Sequence, residues 1–190
     1  GMGKLNAKQE LEVTGTDGKT TVHQAKHLIL ATGARSRQLP NLPIDGKKVI
    51  IHRDAMVLPQ QPKSMIVVGS GAIGVEFAYF YNSLGTKVTI VEFMPRIVPV
   101  EDDDVSKELE RSFKKKGLEI MTNASVEKVD TSGKGVKATV KTKDGEITLE
   151  ADIVLSAVGI SANIENIGLE AAGVKTDKGK VLVDKYYKTN

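Results

Sequence analysis

Short apolar runs alternate with stretches of helical spacing through the middle of the chain. Residues 65–68 are fully apolar and residues 87–91 and 118–121 are mostly apolar, and each segment has the length of a strand. Residues 73–84 and 104–116 instead repeat apolar side chains every three or four positions, which predicts one buried face on a helix. The second of these stretches begins with acidic residues and ends with lysines, which complements the helix dipole. The order predicts a βαβαβ unit built on a parallel sheet.

After this unit, apolar and polar side chains alternate with a period of two. Residues 126–129, 136–141 and 146–150 alternate between apolar and polar side chains, and Ser-Gly and Asp-Gly pairs separate them. Such pairs between alternating runs are turn signals, so the segment predicts an antiparallel meander. Residues 153–158 return to an almost continuous apolar run, as expected of a strand buried on both faces.

The N-terminal part carries a weaker strand pattern. Residues 11–13 and 20–22 alternate on either side of an Asp-Gly pair, which is a hairpin signal. Residues 27–31, which are apolar after His27, predict one buried strand that runs into a Thr-Gly pair. Two or three strands cannot close a core alone, so this ribbon needs a partner that the sequence does not contain.

Most of the prolines lie within residues 36–63, where few apolar residues recur, so this segment predicts a linker or a cross-over between domains. Together the patterns predict an α/β fold. Its centre is a Rossmann-like parallel sheet flanked by helices with an antiparallel β-meander, and a short N-terminal β-ribbon belongs to a second domain.

The composition of the chain excludes several classes of function. The 190 residues contain 27 basic and 24 acidic side chains, for a net charge of +3, and no cysteine. A disulfide scaffold, cysteine-bound zinc and a cysteine nucleophile are excluded, and no metal site is predicted. The weak net charge and the 4% aromatic content argue against nucleic acid as a partner. The apolar runs are too short to span a membrane and no signal peptide opens the chain, so we expect a soluble, cytoplasmic protein.

A glycine-rich turn joins the first strand of the βαβαβ unit to its helix. It reads Gly69-Ser70-Gly71-Ala72-Ile73-Gly74. In a dinucleotide site, Gly69 allows the tight turn, Gly71 lets the backbone approach a diphosphate, and Gly74 lets helix and strand pack closely. The free amides at the helix start then face the phosphates. The alternative is an ordinary strand-to-helix turn with incidental glycines.

Glu92 ends the following strand, where an acidic residue completes this pattern. A carboxylate at this position can accept hydrogen bonds from both adenosine ribose hydroxyls and repels a 2′-phosphate, which favours NAD over NADP. Arg96 is close enough in sequence to keep NADP open. The alternative for Glu92 is a solvated strand end.

Two further residues have open assignments. Glu76 falls near the start of the phosphate-binding helix, where it either complements the helix dipole in the first turn or lies near the nicotinamide. Gly159 follows the buried strand of residues 153–158, at the sheet edge where ligands of open α/β sheets bind. Its alternative is a plain turn glycine.

These segments together resemble a known family. The resemblance rests on residues 31–33 (Ala-Thr-Gly), 67–76, 91–92 and 157–159, and it spans residues 3–190. They are similar to the central part of the flavoprotein disulfide reductases. The Gly-Val-Glu-Phe-Ala sequence that begins at the last glycine of the turn is most similar to the dihydrolipoamide dehydrogenases within them.

The resemblance implies a division of the chain. Residues 1–40 would be a fragment of an FAD-binding domain, residues 41–62 a linker and residues 63–185 an inserted NAD-binding domain. Residues 186–190 would begin the return to the FAD domain.

The resemblance also implies cofactor contacts. Val126 would meet the adenine of NAD through its backbone. The NAD contacts would be Gly69, Ser70, Gly71, Ala72, Ile73, Gly74, Val75, Glu76, Glu92, Val126 and Gly159. The contacts that approach FAD would be Ala31, Thr32 and Gly33.

Several motifs of that family are absent from the sequence. The first FAD-binding glycine motif, the redox pair of cysteines, the flavin-binding aspartate and the histidine–glutamate pair of the dimerisation domain are missing, and His23, His27 and His52 match none of them. Residues 160–163 read Ile-Ser-Ala-Asn where the family usually has arginines, which weakens an NADP assignment.

The resemblance therefore implies a domain of an NAD-linked flavoenzyme that passes electrons from a dithiol through FAD to NAD⁺. We expect the full-length protein to be a homodimer, and the isolated chain to bind NAD(H) weakly without lipoamide turnover. An NADH oxidase or ferredoxin reductase domain is the nearest alternative. A nucleotide-sensing module and an S-adenosylmethionine-dependent methyltransferase are the alternatives from other classes.

Overall fold

The computed structural model describes residues 1–190 and contains fifteen strands and three helices. The helices are α1 (His52–Ala55), α2 (Ala72–Ser83) and α3 (Asp103–Lys115). The strands are β1 (Met2–Leu5), β2 (Leu11–Thr14), β3 (Thr20–His23), β4 (Ala34–Ser36), β5 (Val49–Ile50), β6 (Ser64–Val68), β7 (Lys87–Val91), β8 (Glu119–Met121), β9 (Ser125–Asp130), β10 (Val136–Thr142), β11 (Gly145–Ala151), β12 (Ile153–Ser156), β13 (Ile160–Ala162), β14 (Thr176–Asp177) and β15 (Lys180–Val181).

The chain forms two compact units. The first contains residues 1–35 and 160–190, and the second contains residues 36–159. This division differs from the predicted domain boundaries, because residues 160–185 fold with the N-terminal residues. The physical reason is a small apolar cluster of the first unit, in which Leu169 and Ala172 pack with Leu5.

A parallel sheet of five strands forms the centre of the second unit. Its order is β5-β12-β6-β7-β8, and every neighbouring pair is parallel. The strands β6, β7 and β8 follow one another through α2 and α3, whereas β12 returns to the other side of β6. The predicted βαβαβ unit and the predicted return strand are therefore confirmed. The carboxyl ends of β6 and β12 lie side by side, at the point where the direction of winding reverses.

The side chains of the sheet alternate between two cores. In β6, Met65 and Val67 face the helices, where Tyr81 of α2 and Phe113 of α3 are buried. Ile66 and Val68 face the other way and pack with the meander residues Val126, Val136, Ala138 and Val140. The meander β9, β10 and β11 is antiparallel, as its alternating pattern predicts. The three layers confirm the predicted fold class.

The proline-rich segment contains two elements that the pattern does not reveal. Val49 and Ile50 form β5, and neither side chain is exposed to solvent. The helix α1 follows, and its Ala55 carbonyl accepts a hydrogen bond from the Tyr81 hydroxyl. A strand of two residues is too short to show a period, so its hydrogen bonds to β12 decide its structure.

The first unit contains the predicted ribbon. β2 and β3 form the expected hairpin, and β1 pairs with β2 to make a three-stranded antiparallel sheet. The C-terminal residues add the short hairpin of β14 and β15. The backbone N–H of Leu5 donates to the Ile167 carbonyl at 2.8 Å, which joins the two chain segments of this unit.

The predicted buried strand at residues 27–31 is wrong. The segment has no regular structure, and the Ile29 side chain is 89% exposed. An apolar run becomes a strand only where a neighbouring strand pairs with its backbone groups. None of the strands of the structure pairs with this segment.

The helices are short. The longest is α3, with 13 residues. No helix has both the length and the apolar character that a membrane crossing requires.

Candidate functional site

The glycine-rich turn lies between the end of β6 and the start of α2. Gly69 has a φ of +98°, in the left-handed region that favours glycine. A Cβ on Gly69 would overlap the Ala157 carbonyl just after β12, and a Cβ on Gly74 would overlap the Gly69 carbonyl. The two glycines therefore allow β6, α2 and the end of β12 to approach one another, which is the structural role expected of them.

Gly71 differs from these two glycines, because a Cβ placed on it would meet no heavy atom within 4 Å. As the N-cap of α2 it supplies no side-chain hydrogen bond, and the first turn of α2 contains no acidic residue. By contrast, the Asp102 carboxylate caps α3 by accepting from the Asp104 N–H at 2.9 Å. The first N–H groups of α2 are thus uncapped beside open space. This is the arrangement that a diphosphate group fits.

Other residues of the turn present backbone rather than side chain. The Ser70 side chain is fully buried, and Val75 packs into the helix-side core.

Glu76 is exposed and lies beyond the first turn of α2, which contains no acidic residue. Its predicted place in the first turn is therefore wrong, because the helix begins only at Ala72. Its role near a nicotinamide stays a prediction.

Glu92 lies under the turn rather than in solvent. Its side chain is 7% exposed, so the alternative of a solvated strand end is wrong. Its Oε2 accepts from the Ser70 N–H at 2.8 Å and from the Ser70 hydroxyl at 2.6 Å, and its Oε1 accepts from the Met94 N–H at 2.7 Å. A carboxylate has about four acceptor positions, so roughly one remains, on Oε1. Glu92 therefore shapes the turn and retains capacity for one further donor.

Arg96 is engaged within its own loop. Its guanidinium donates to the Pro99 carbonyl at 3.0 Å and to the Glu101 carbonyl at 3.2 Å, and it pairs with the Asp103 carboxylate. These three acceptors occupy much of its donor capacity. The contacts of Arg96 therefore lie at the start of α3. They weaken the expectation from the sequence that Arg96 could bind a 2′-phosphate.

Val126 is buried in β9, and its carbonyl accepts a hydrogen bond from the Asn41 side chain. The segment before it runs beside Glu92, because the Ala124 N–H donates to the Glu92 carbonyl at 3.0 Å. Val126 therefore belongs to the same region as Glu92. Sequence reasoning missed Asn41, since it lies in the proline-rich segment with no pattern to indicate its contact.

Gly159 comes just after β12 with a φ of +104°. The Ala157 N–H donates to the Val68 carbonyl at 2.8 Å, so the chain leaving β12 passes directly beside the glycine-rich turn. The Gly159 carbonyl accepts from the Arg37 N–H at 2.9 Å. The structure thus brings residues 69–76, Glu92 and residues 157–159 to one edge of the sheet.

Ala31, Thr32 and Gly33 belong to the first unit. Together with residues 25–30 they line a groove of about 930 Å³ in that unit. Asn163 fixes the end of the segment, because its N–H donates to the Gly33 carbonyl at 2.9 Å and its side chain to the Thr32 carbonyl at 3.2 Å.

Arg35 supports the same segment. It makes a bidentate ion pair with Glu165, with the shorter distance 2.6 Å between Nη2 and Oε1. The hydrogen bonds from Arg35 lower the pKa of Glu165 to about 2. The segment that carries Ala31–Gly33 is therefore attached to residues 163–165 at two points.

A further cavity of about 380 Å³ lies at the other edge of the sheet. It is lined by Ser64, the first residue of β6, together with residues 133–137 and 150–152. The glycine-rich turn follows the last residue of the same strand. The cavity is thus separated from the candidate site by the length of β6.

Comparison with known proteins identifies the family. A model of the pyridine nucleotide-disulphide oxidoreductase family matches residues 2–190. The chain belongs to this family. Its membership confirms the resemblance to flavoprotein disulfide reductases and favours an oxidoreductase over a methyltransferase.

Curated relatives match most or all of the chain. It is 42% identical over 191 residues to a dihydrolipoyl dehydrogenase of Zymomonas mobilis, covering 100% of this chain and 41% of that protein. It is 50% identical over 169 residues to a dihydrolipoyl dehydrogenase of Rhizobium etli, covering 88% of this chain and 35% of that protein. The chain thus spans about two fifths of the length of these relatives.

A solved structure shares the fold. The flavoprotein disulfide reductase RclA of Escherichia coli superposes with a TM-score of 0.81 at 26% sequence identity, over 100% of this chain and 42% of that one. The pyridine nucleotide in the family's description and the flavin in this relative's name agree with the two cofactors, NAD and FAD, that the resemblance implies.

Proposed function

We propose that the second unit binds NAD(H) at the glycine-rich turn. The observation that carries the proposal is the open space beside Gly71 at the uncapped start of α2, on the carboxyl edge of the sheet. Ala72, Ile73 and Gly74 would supply backbone N–H groups to the diphosphate, where the helix dipole favours negative charge. Membership in a pyridine nucleotide oxidoreductase family supports the same ligand.

Glu92 would hold the adenosine ribose of NAD through the acceptor position left on Oε1. Because three internal donors already use the carboxylate, we expect one ribose hydroxyl to bind it directly rather than both. The Glu92 carboxylate would repel a 2′-phosphate, and Arg96 already makes contacts within its own loop. We therefore propose a preference for NAD over NADP.

The remaining contacts would follow the sheet edge. The Val126 backbone would meet the adenine, on the side where β9 runs past Glu92. Val75 would contribute through its backbone, while Glu76 and Gly159 would lie toward the nicotinamide. All of these residues belong to residues 36–159, which supports one nucleotide site within one unit.

We further propose that the chain is part of a dihydrolipoyl dehydrogenase-like flavoenzyme. The chain covers 41% of one such relative, and the first unit would be the part that approaches FAD, through Ala31, Thr32 and Gly33. In the whole enzyme, electrons would pass from a dithiol through FAD to NAD⁺, and the cofactors supply that chemistry. The partners of this chain would be the other FAD-domain and dimerisation segments, in a homodimer, and the 190 residues alone would be catalytically inactive.

Calorimetric titration of the 190-residue chain tests the nucleotide site. We expect heat of binding with NADH, weaker binding with NADPH, and none with S-adenosylmethionine. Absence of NADH binding would overturn the proposed ligand. A separate assay of lipoamide oxidation tests the claim of inactivity, and turnover by this chain alone would contradict it.

A further inference from the structure

The loop between β7 and α3 contains an unusual backbone conformation. Val98 has a φ of +40°, and its side chain is 7% exposed. A β-branched residue is rarely found in the left-handed region, because its side chain crowds the backbone there. Such a conformation persists only where the surrounding structure fixes it, and it often marks a functional constraint.

Val98 in this conformation contacts the glycine-rich turn. Its N–H donates to the Ser70 carbonyl at 2.9 Å. The other polar groups of Ser70, its N–H and its hydroxyl, both donate to Glu92. The peptide groups on both sides of Ser70 are thus held, one by Glu92, which follows β7, and one by Val98 of the loop. Ser70 immediately precedes Gly71, where the open space begins.

A buried serine of α3 fixes the residue before Val98. The Ser106 hydroxyl donates to the Ile97 carbonyl at 2.6 Å, and the two side chains are 1% and 0% exposed. That carbonyl belongs to the same peptide group as the Val98 N–H. The hydrogen bond from Ser106 therefore orients the peptide that donates to Ser70.

Arg96 restrains the other side of Val98, through its hydrogen bonds to the carbonyls of Pro99 and Glu101. The strained residue is thus enclosed by contacts before and after it. Unlike Arg96, Ser106 contacts the Ile97–Val98 peptide group itself, the group whose N–H donates to Ser70.

We propose that Ser106 is a positioning residue for diphosphate binding. Through the Ile97–Val98 peptide it holds the Ser70 carbonyl, and so it keeps Gly71 and the first N–H groups of α2 oriented toward the ligand. The inference rests on the proposed NAD(H) site and adds a residue of α3 that touches no ligand. Without the Ser106 hydroxyl, Val98 is free to relax to a negative φ, which turns its N–H away from Ser70.

The test compares Ser106→Ala with Ser112→Ala, a matched change later on the same helix. Each variant is titrated with NADH, with ADP and with adenosine. We expect Ser106→Ala to weaken NADH and ADP binding by about threefold to tenfold, the effect of one lost hydrogen bond. Adenosine has no phosphate, so its affinity should be unchanged. Ser112→Ala should match the unmodified chain throughout.

A second variant separates positioning from general stability. Glycine adopts the left-handed region without strain, so Val98→Gly in the Ser106→Ala background should restore NADH and ADP binding. The proposal is overturned if Ser106→Ala binds ADP normally, if it weakens adenosine binding equally, or if the double variant fails to recover. If the unmodified chain binds no NADH, the proposed function fails instead.

Discussion

Ser70 directs both of its donors to one oxygen of Glu92. The N–H and the hydroxyl lie 2.8 and 2.6 Å from Oε2, and both residues are buried. The end of β7 is thereby joined to the turn that follows β6, beyond the last paired residues of the two strands. The shape of the glycine-rich turn therefore depends on an acceptor supplied by a different strand.

Replacement of Glu92 by glutamine should destabilise the chain. A carboxamide has one oxygen that accepts and one NH₂ group that only donates, so it leaves a donor of Ser70 or Met94 without a partner. We expect the free energy of unfolding to fall by about 1–3 kcal/mol, measured by urea denaturation. The exposed Glu127→Gln is the control and should stay within about 0.5 kcal/mol. Equal effects in the two variants would contradict the role of Glu92 in shaping the turn.

Alanine at Gly71 and alanine at Gly74 should affect different properties: the first should lower NADH affinity and the second should lower folding stability. Gly71 has a φ of −68° and space for a Cβ, so Gly71→Ala should change the free energy of unfolding by less than about 1 kcal/mol. Its methyl group would occupy the space proposed for the diphosphate, so it should weaken NADH binding roughly tenfold or more.

At Gly74 the new methyl group would overlap the Gly69 carbonyl, so Gly74→Ala should cost about 1–3 kcal/mol of folding stability. Thermal unfolding and NADH titration of both variants measure the two effects. A stable Gly74→Ala variant, or a Gly71→Ala variant with unchanged NADH affinity, would contradict these assignments.

The elements that were predictable from sequence are those with a clear period. The helix α3 was expected over residues 104–116 and spans Asp103–Lys115, because its apolar face and its charged ends agree with each other. By contrast, β5 depends on pairing with β12 and has only two residues, so no local pattern could indicate it. The prediction of a strand at residues 27–31 is wrong for the opposite reason, because their apolar pattern is clear but no strand pairs with them.

The candidate site shows the same limit. The hydrogen bonds from Ser70 and Met94 to Glu92 were not expected. The roles of Gly69 and Gly74 were predictable, because a tight turn and a close approach of helix and strand both require glycine. The contacts of Asn41 and Ser106 were not, since each joins segments far apart in sequence: Asn41 to the Val126 carbonyl and Ser106 to the Ile97 carbonyl. A single hydrogen bond from a serine or asparagine leaves no period in a sequence.

The buried hydroxyl of Ser156 in the parallel sheet predicts an effect on folding stability. It is 3% exposed in β12, and its hydroxyl is the buried side-chain polar atom without a hydrogen-bond partner. Ser156→Ala removes an unpaired group, so we expect an unchanged or higher free energy of unfolding, by up to about 1 kcal/mol. Ser106→Ala, which removes a paired hydroxyl, should lower it by about 1 kcal/mol in the same urea experiment. A loss at Ser156 as large as at Ser106 would show that its hydroxyl has a partner.

The ion pair of Arg35 and Glu165 predicts a pH dependence in the first unit. Hydrogen bonds from Arg35 lower the pKa of Glu165 from 4.5 to about 2. A carboxyl group whose pKa is lower in the folded state stabilises that state above the unfolded value, and the contribution is lost as the pH falls toward the folded value. The pair should therefore contribute above about pH 4.5 and lose its effect between pH 4.5 and 2.

Arg35→Gln should raise the pKa of Glu165 back toward 4.5, as followed by carboxyl ¹³C chemical shifts during an acid titration. Arg37→Gln removes an exposed arginine nearby in sequence and should leave the titration of Glu165 unchanged. Because both partners are exposed, the change in overall stability should be small, and the carboxyl titration is the sensitive measurement. A midpoint that stays near pH 2 in Arg35→Gln would mean that backbone N–H groups near Ile164 and Glu165, rather than the guanidinium, lower this pKa.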